Sequence, residues 1–142
     1  MTPDDQRVKH LEMFQVVITR LGQNSFAVRG WSVTLVSVLF ALIAAKDSPP
    51  AASLVALVPS IVFWGLDAYY LRQERLFRRL YAAVAQDVGN AEPSVAPFSM
   101  DVTSFAASTP TWQATLASRT VLPIPVVLTV IAIGYTVVTV IR

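Results

Sequence analysis

The chain has 142 residues, enough for one domain, and is 54% hydrophobic but only 14% charged, with a mean hydropathy of +0.55. A soluble domain carries roughly 25% charged residues, so this composition points to a small integral membrane protein. The net charge of +2 gives no ground for expecting a nucleic-acid partner, the lack of cysteine excludes disulfides and thiol chemistry, and one histidine, His10, cannot build a multi-histidine metal centre.

Residues 1–25 are expected to form a cytoplasmic amphipathic helix. In DDQRVKHLEMFQVVITRL (4–21), His10, Leu11, Phe14, Val17, Ile18 and Leu21 share about a third of the helical circumference, with Glu12, Gln15 and Thr19 opposite. Asp4 and Asp5 suit the first turn, with Pro3 just outside it. Gly22 followed by Gln23–Ser25 predicts a break before the membrane. The helix is expected to pack on other cytoplasmic helices, with attachment to the membrane surface as the alternative.

Residues 26–71 predict a transmembrane hairpin. The first span, Phe26–Ala45, meets the length of about 20 apolar residues that a bilayer requires. Arg29 in its first turn can snorkel to the interface, where Trp31 also belongs. Lys46–Pro50 forms a polar turn ended by two prolines, and Ala51–Leu71 returns across the membrane with a kink expected near Pro59. The polar residues before the first span and the immediate second span do not fit a cleaved signal peptide.

Residues 72–120 are expected to be a cytoplasmic helix followed by an irregular segment. Leu76, Phe77, Leu80, Tyr81 and Val84 share one side, Arg72, Arg75, Arg78 and Arg79 fill the other, and Glu74 can reach Arg78 at i,i+4. No glycine or proline separates this stretch from the second span, so one long helix should leave the membrane. Its apolar face needs cover from the N-terminal helix or from other subunits. Residues 88–112 lack helical periodicity; FSMDVTS (98–104) and SFAAS (104–108) predict short strands, anchored by Phe98, Met100 and Phe105. The third span lies within 121–142, rich in Val, Ile and Thr and opened by Pro123 and Pro125.

The expected fold is therefore an all-α integral membrane protein with three transmembrane helices, an N-terminal amphipathic helix and a second helix extended into the cytoplasm. Nine basic residues flank one side (Arg7, Lys9, Arg20, Arg29, Arg72, Arg75, Arg78, Arg79 and Arg119), against Lys46 and Arg142 on the other. By the positive-inside rule the N-terminus is cytoplasmic and the C-terminus outside. A third span that failed to cross would return the C-terminus to the cytoplasm.

Asp67 is the first candidate for chemistry, because an ionisable group within a span is functional by default. Its position about one turn from the arginines favours instead a structural charge junction of Arg29, Asp67, Arg72, Arg75, Arg78, Arg79 and Arg119, with Arg29, Arg119 or another subunit's arginine as partner. The arginines could bind phosphate, but the positive-inside rule places them there without a ligand. Tyr69 and Tyr70 fit an interfacial belt, and Trp64 and His10 fit packing roles. In the third span Pro125, Thr129, Ala132, Thr136 and Thr139 form a stripe of small and hydroxyl residues, suited to close packing or, alternatively, to a pore lining. Nucleophile-elbow, zinc-protease and phosphate-loop motifs do not occur, so no catalytic, metal or cofactor residues are expected.

Two blocks, KHLEMFQVVITRLGQNSFAVRGWSVTLVSVLFAL (9–42) and FWGLDAYYLRQERLFRRLY (63–81), resemble the RipA-family octameric membrane proteins of bacteria. The resemblance covers about residues 9–81, with weaker similarity at Phe98–Met100 and in the final span. It implies an octameric inner-membrane protein without established catalytic activity, and it carries over no ligand residues. Where many relatives have lysine near Arg29 and Arg79, this chain keeps the charge with arginine. The resulting expectation is a non-catalytic homo-oligomeric scaffold in contact with membrane lipid, acting in envelope or stress adaptation, with an oligomeric pore as the alternative.

Overall fold

The first helix opens on a reciprocal cap. A computed structural model describes residues 2–46, 49, 51–87 and 94–141. In it the Asp5 N–H donates to the Thr2 hydroxyl at 3.2 Å and the Thr2 N–H donates to the Asp5 carboxylate at 2.9 Å. The Thr2 backbone N–H, followed by its side chain, holds the Asp5 carboxyl below the usual carboxylate range. Pro3 is thus the first helical residue, where its missing N–H costs nothing, and lies inside the helix rather than outside it.

Helix α1 (Pro3–Ala45) then runs 43 residues without the break expected at Gly22–Ser25. Packing explains the difference. A Cβ on Gly22 would lie 3.6 Å from Glu74 Oε2, and Ser25 hydrogen-bonds Asp67, so these residues serve contacts with the next long helix. One interior glycine costs about 1 kcal/mol, which such contacts outweigh. At 1.5 Å per residue the rod is about 64 Å long, roughly twice the ~30 Å hydrocarbon thickness of a bilayer.

The return strand of the hairpin is divided into α2 (Ala52–Val55) and α3 (Leu57–Gln86) at Ala56. Pro59 is the cause: it has no N–H for the Val55 carbonyl, and its ring crowds that carbonyl. Ala56 keeps helical dihedrals, while its N–H donates to Ser53 at 3.2 Å in a tightened turn. The kink expected near Pro59 therefore falls one turn ahead of it. Beyond it α3 continues unbroken past the arginines, as the sequence predicts.

Helices α1 and α3 pack antiparallel. Ser25 meets Asp67, and farther along the Gln15 amide donates to the Tyr81 hydroxyl at 3.4 Å. Phe14, Leu80 and Val84 form the buried centre of the part beyond the apolar spans, joined by Leu11, Ile18 and Phe77 from the two rods. The third wall comes from the same chain: Val95, Met100, Val102 and Phe105 close over this core. The apolar face of α3 thus finds its cover within one subunit.

Residues 94–109 form turns, with one 3-10 turn at Thr103–Phe105, rather than the two short strands expected at 98–108. The Asp101 carboxylate accepts the Thr103 hydroxyl at 2.7 Å and its N–H at 2.9 Å, a local bond pattern that competes with pairing. Ser99 N–H donates to Ala96 at 3.1 Å, and Phe98 adopts a left-handed φ of 59° that no strand would keep. The Thr103 side chain and then its N–H hold the Asp101 carboxyl below the usual range. Because the folded pKa is depressed, the turn's contribution is complete above the ordinary carboxylate range near 3.9 and fades as pH falls through it. A titration following the Thr103 amide resonance should show an unchanged turn from neutral pH to about 5 and its loss at more acid pH; an unchanged resonance below pH 2 would contradict it.

Helix α5 (Pro123–Ile141) packs on α2, α3 and α1, with Val36, Ala56 and Leu128 buried between them. Small buried residues let the rods approach: Ser53, Ser60 and Asp67 recur every seven positions on the α2–α3 side, opposite Ser25 and Ser32 of α1. The outward surfaces of these segments carry Leu35, Leu42, Ile61, Val62, Val127, Ile131 and Val138. Among the described residues the structure is all-helical without strands, and three helices are long and apolar enough to cross a membrane, as in a multi-pass membrane protein.

Candidate functional site

Asp67 lies on the buried side of α3, 3% exposed, where that helix crosses α1. Ser25 and Arg29 are one helical turn apart on α1 and so present one face to it. The Arg29 Nε donates to Asp67 Oδ2 at 2.7 Å, and the Ser25 hydroxyl makes a short hydrogen bond to Oδ1. Both carboxylate oxygens are engaged. The carboxylate is sealed, its side chain 5% exposed, whereas the Arg29 side chain is 25% exposed and leads the charge outward. Of the partners the sequence leaves open, this geometry selects Arg29.

The remaining arginines do not join that pair. Arg78 bonds Glu74 at 2.7 Å, as the i,i+4 spacing predicts, on an exposed surface where such pairs contribute little. The Arg72 Nε donates to the Pro110 carbonyl at 3.2 Å and ties the 94–111 segment to α3. Arg75, Arg79 and Arg119 have no ion-pair partner among the described residues, and Arg79 and Arg119 are exposed. The seven residues expected at the junction thus divide into a buried pair, two local tethers and an outward-facing cationic surface.

A second connection escapes sequence reasoning. The Trp64 indole N–H donates to the Leu116 carbonyl at 3.1 Å, while Trp112 donates to the Gly65 carbonyl at 3.1 Å. This exchange fastens the short helix α4 (Trp112–Leu116) across α3. A Cβ at Gly65 would lie 3.5 Å from Trp112 Cζ2, an ordinary van der Waals distance, so the indole packs directly against the α3 backbone there. The local signal for α4 is Thr111, whose hydroxyl caps the Ala114 N–H at 3.3 Å. Its docking onto Gly65 has no such signal.

His10 is buried beside the 94–105 segment. Its Nε2 lies 3.0 Å from the Ser99 carbonyl, as a donor in the matching tautomer, and its ring stacks near Phe14 (4.3 Å) and Phe98 (5.7 Å). It works as a packing residue that holds the wall of the core. Among the described residues no group of three His, Asp or Glu side chains could hold a metal ion.

The hydroxyl stripe of α5 is turned toward the hairpin. Thr129 donates to the Pro125 carbonyl at 2.7 Å, Thr136 to Ala132 at 2.9 Å and Thr139 to Tyr135 at 2.9 Å. Thr136 also meets the Ser53 hydroxyl at 2.5 Å, and Ala132 is fully buried. Within the subunit Thr136 joins α5 to α2 through Ser53.

No family model, curated protein or solved structure matches the chain.

Proposed function

We propose that the protein is a non-catalytic homo-oligomeric scaffold of the bacterial inner membrane, with its N-terminus cytoplasmic and its C-terminus outside. The observation that carries this reading is the use of its buried ionisable groups: Asp67 is spent on Arg29 and Ser25, and His10 holds a loop. The sequence blocks at 9–42 and 63–81 support an octamer of the RipA-family kind. Its role would be in envelope or stress adaptation, in contact with membrane lipid. The nine-to-two distribution of Lys and Arg supports the orientation.

The competing reading, an oligomeric pore, needs Thr129, Thr136 and Thr139 on an axis shared by several subunits. Their hydroxyl hydrogens are already given to carbonyls of the same helix, which supports packing instead.

Purified protein in lipid nanodiscs should have a mass corresponding to eight copies, and proteoliposomes should pass no ions under an applied potential. Flux that disappears on replacing Thr129, Thr136 and Thr139 together by leucine would establish the pore. A monomeric mass, or a reporter showing a cytoplasmic C-terminus, would defeat the scaffold topology.

A further inference from the structure

Helices α3 and α5 leave a groove of about 290 Å³ between their apolar parts. Its lining includes Ser60 and Trp64 from α3, Leu122 from the turn just before α5, and Val126, Thr129 and Val130 from α5. Leu122 and the three α5 residues recur at i, i+4, i+7 and i+8, so the groove follows the start of that helix for two turns, about 12 Å along its axis. Thr129 gives its hydroxyl hydrogen to Pro125, so the lining is chiefly apolar.

One end of this groove is marked by charge. Leu122 follows Arg119 by three residues, which places the two backbones within about 10 Å. Arg119 is exposed and has no ion-pair partner among the described residues. The intervening turn is fixed, with the Val121 and Leu122 N–H groups donating to the Ser118 carbonyl at 3.1 and 3.0 Å. Trp64, whose indole is bonded to Leu116, closes that end of the groove.

We propose that the α3–α5 groove holds one acyl chain of an anionic phospholipid whose phosphate pairs with Arg119. A guanidinium offers paired donors to phosphate oxygens, and the groove runs along the helix in the direction of a lipid tail. A helix from a second copy fits less well. It would have to bring an acid to Arg119, and the described acid on the membrane-spanning helices at this depth, Asp67, is already committed to Arg29 and Ser25. The proposal rests on the membrane placement of α3 and α5 and is independent of the scaffold and pore readings.

Native mass spectrometry of the full-length protein in detergent, with dioleoyl phosphatidylglycerol or dioleoyl phosphatidylcholine added, tests it. Wild type should retain the anionic lipid at least fivefold more than the zwitterionic one. Arg119→Gln should remove that preference and Arg119→Lys should keep most of it. Val126→Trp, at a position 47% exposed and therefore tolerant of a larger side chain, should reduce retention of both lipids. Circular dichroism of each variant should match wild type; if Val126→Trp lowers helicity, Val130→Trp, at another exposed lining position, takes its place. Equal retention of the two lipids by wild type, or a preference unchanged in Arg119→Gln, would overturn the proposal. So would a disulfide in native membranes between Val126→Cys subunits, which would put a second copy in the groove. The same spectra report the oligomeric mass, so loss of the lipid site and loss of the octamer are read separately.

Discussion

Asp67→Ala is expected to destabilise the protein by about 3 kcal/mol, the low end for breaking a buried ion pair, because Arg29 is partly exposed and can recover some hydration. The substitution leaves the guanidinium beside an apolar void and removes the acceptor of the Ser25 hydroxyl. Asp67→Asn should cost less, since the amide oxygen can still accept one of the two bonds. The informative companion is the double replacement Arg29→Met with Asp67→Leu. Desolvating two charges costs nearly what their attraction returns, so this variant should lie within about 1 kcal/mol of wild type. Unfolding in mixed micelles, followed by tryptophan fluorescence, gives all the free energies of the cycle. A single replacement as mild as the double one would mean that the pair is not a coupled structural unit.

Phe14→Ala should cost about 3–5 kcal/mol, the range for emptying an aromatic site in a packed core. Phe14 is fully buried among Leu80 and Val84, under the wall built by residues 94–105. The same change should expose that wall: limited proteolysis is expected to cut between 94 and 111 at least tenfold faster than in wild type. Phe26→Ala is the control. Phe26 is 79% exposed on the same helix, so its loss should move stability in micelles by no more than about 0.5 kcal/mol. If both variants behave alike, the core assigned to α1 and α3 is misplaced.

The two buried arcs were legible because helical periodicity reports which side of a helix is covered. Phe14 and Ile18 on α1, with Leu80 and Val84 on α3, are found in one buried cluster, and His10 and Leu76 on the same arcs are buried as their spacing implies. The three apolar helices were legible by length alone. Asp67 stood out by its chemistry, but its partner could be narrowed only to a few arginines. The antiparallel register that brings Ser25 and Arg29 against it belongs to tertiary structure.

The misreadings have a common origin in local signals that distant contacts override. Gly22 reads as a break when considered with its neighbours, yet α1 runs through it while packed beside Glu74 of α3. The 98–108 stretch has the β-branched and aromatic residues of a strand, but Asp101 and Thr103 close a turn on themselves before any pairing. The exchange between Trp64 and Trp112 was invisible because both indoles bond main-chain carbonyls, which every sequence offers at every position.

The continuity of α1 through Gly22–Ser25 has a mechanical consequence. A hinge there would have let the membrane part tilt while the outer core stayed still. A single rod of 43 residues cannot separate the two motions. A tilt of about 10° about the Asp67 crossing would swing the far end of the outer half, about 30 Å away, sideways by roughly 5 Å. A span that mismatches the local bilayer thickness is accommodated in part by tilting. With no hinge in α1, any tilt of its membrane part is carried to the Phe14–Leu80 core as lateral displacement.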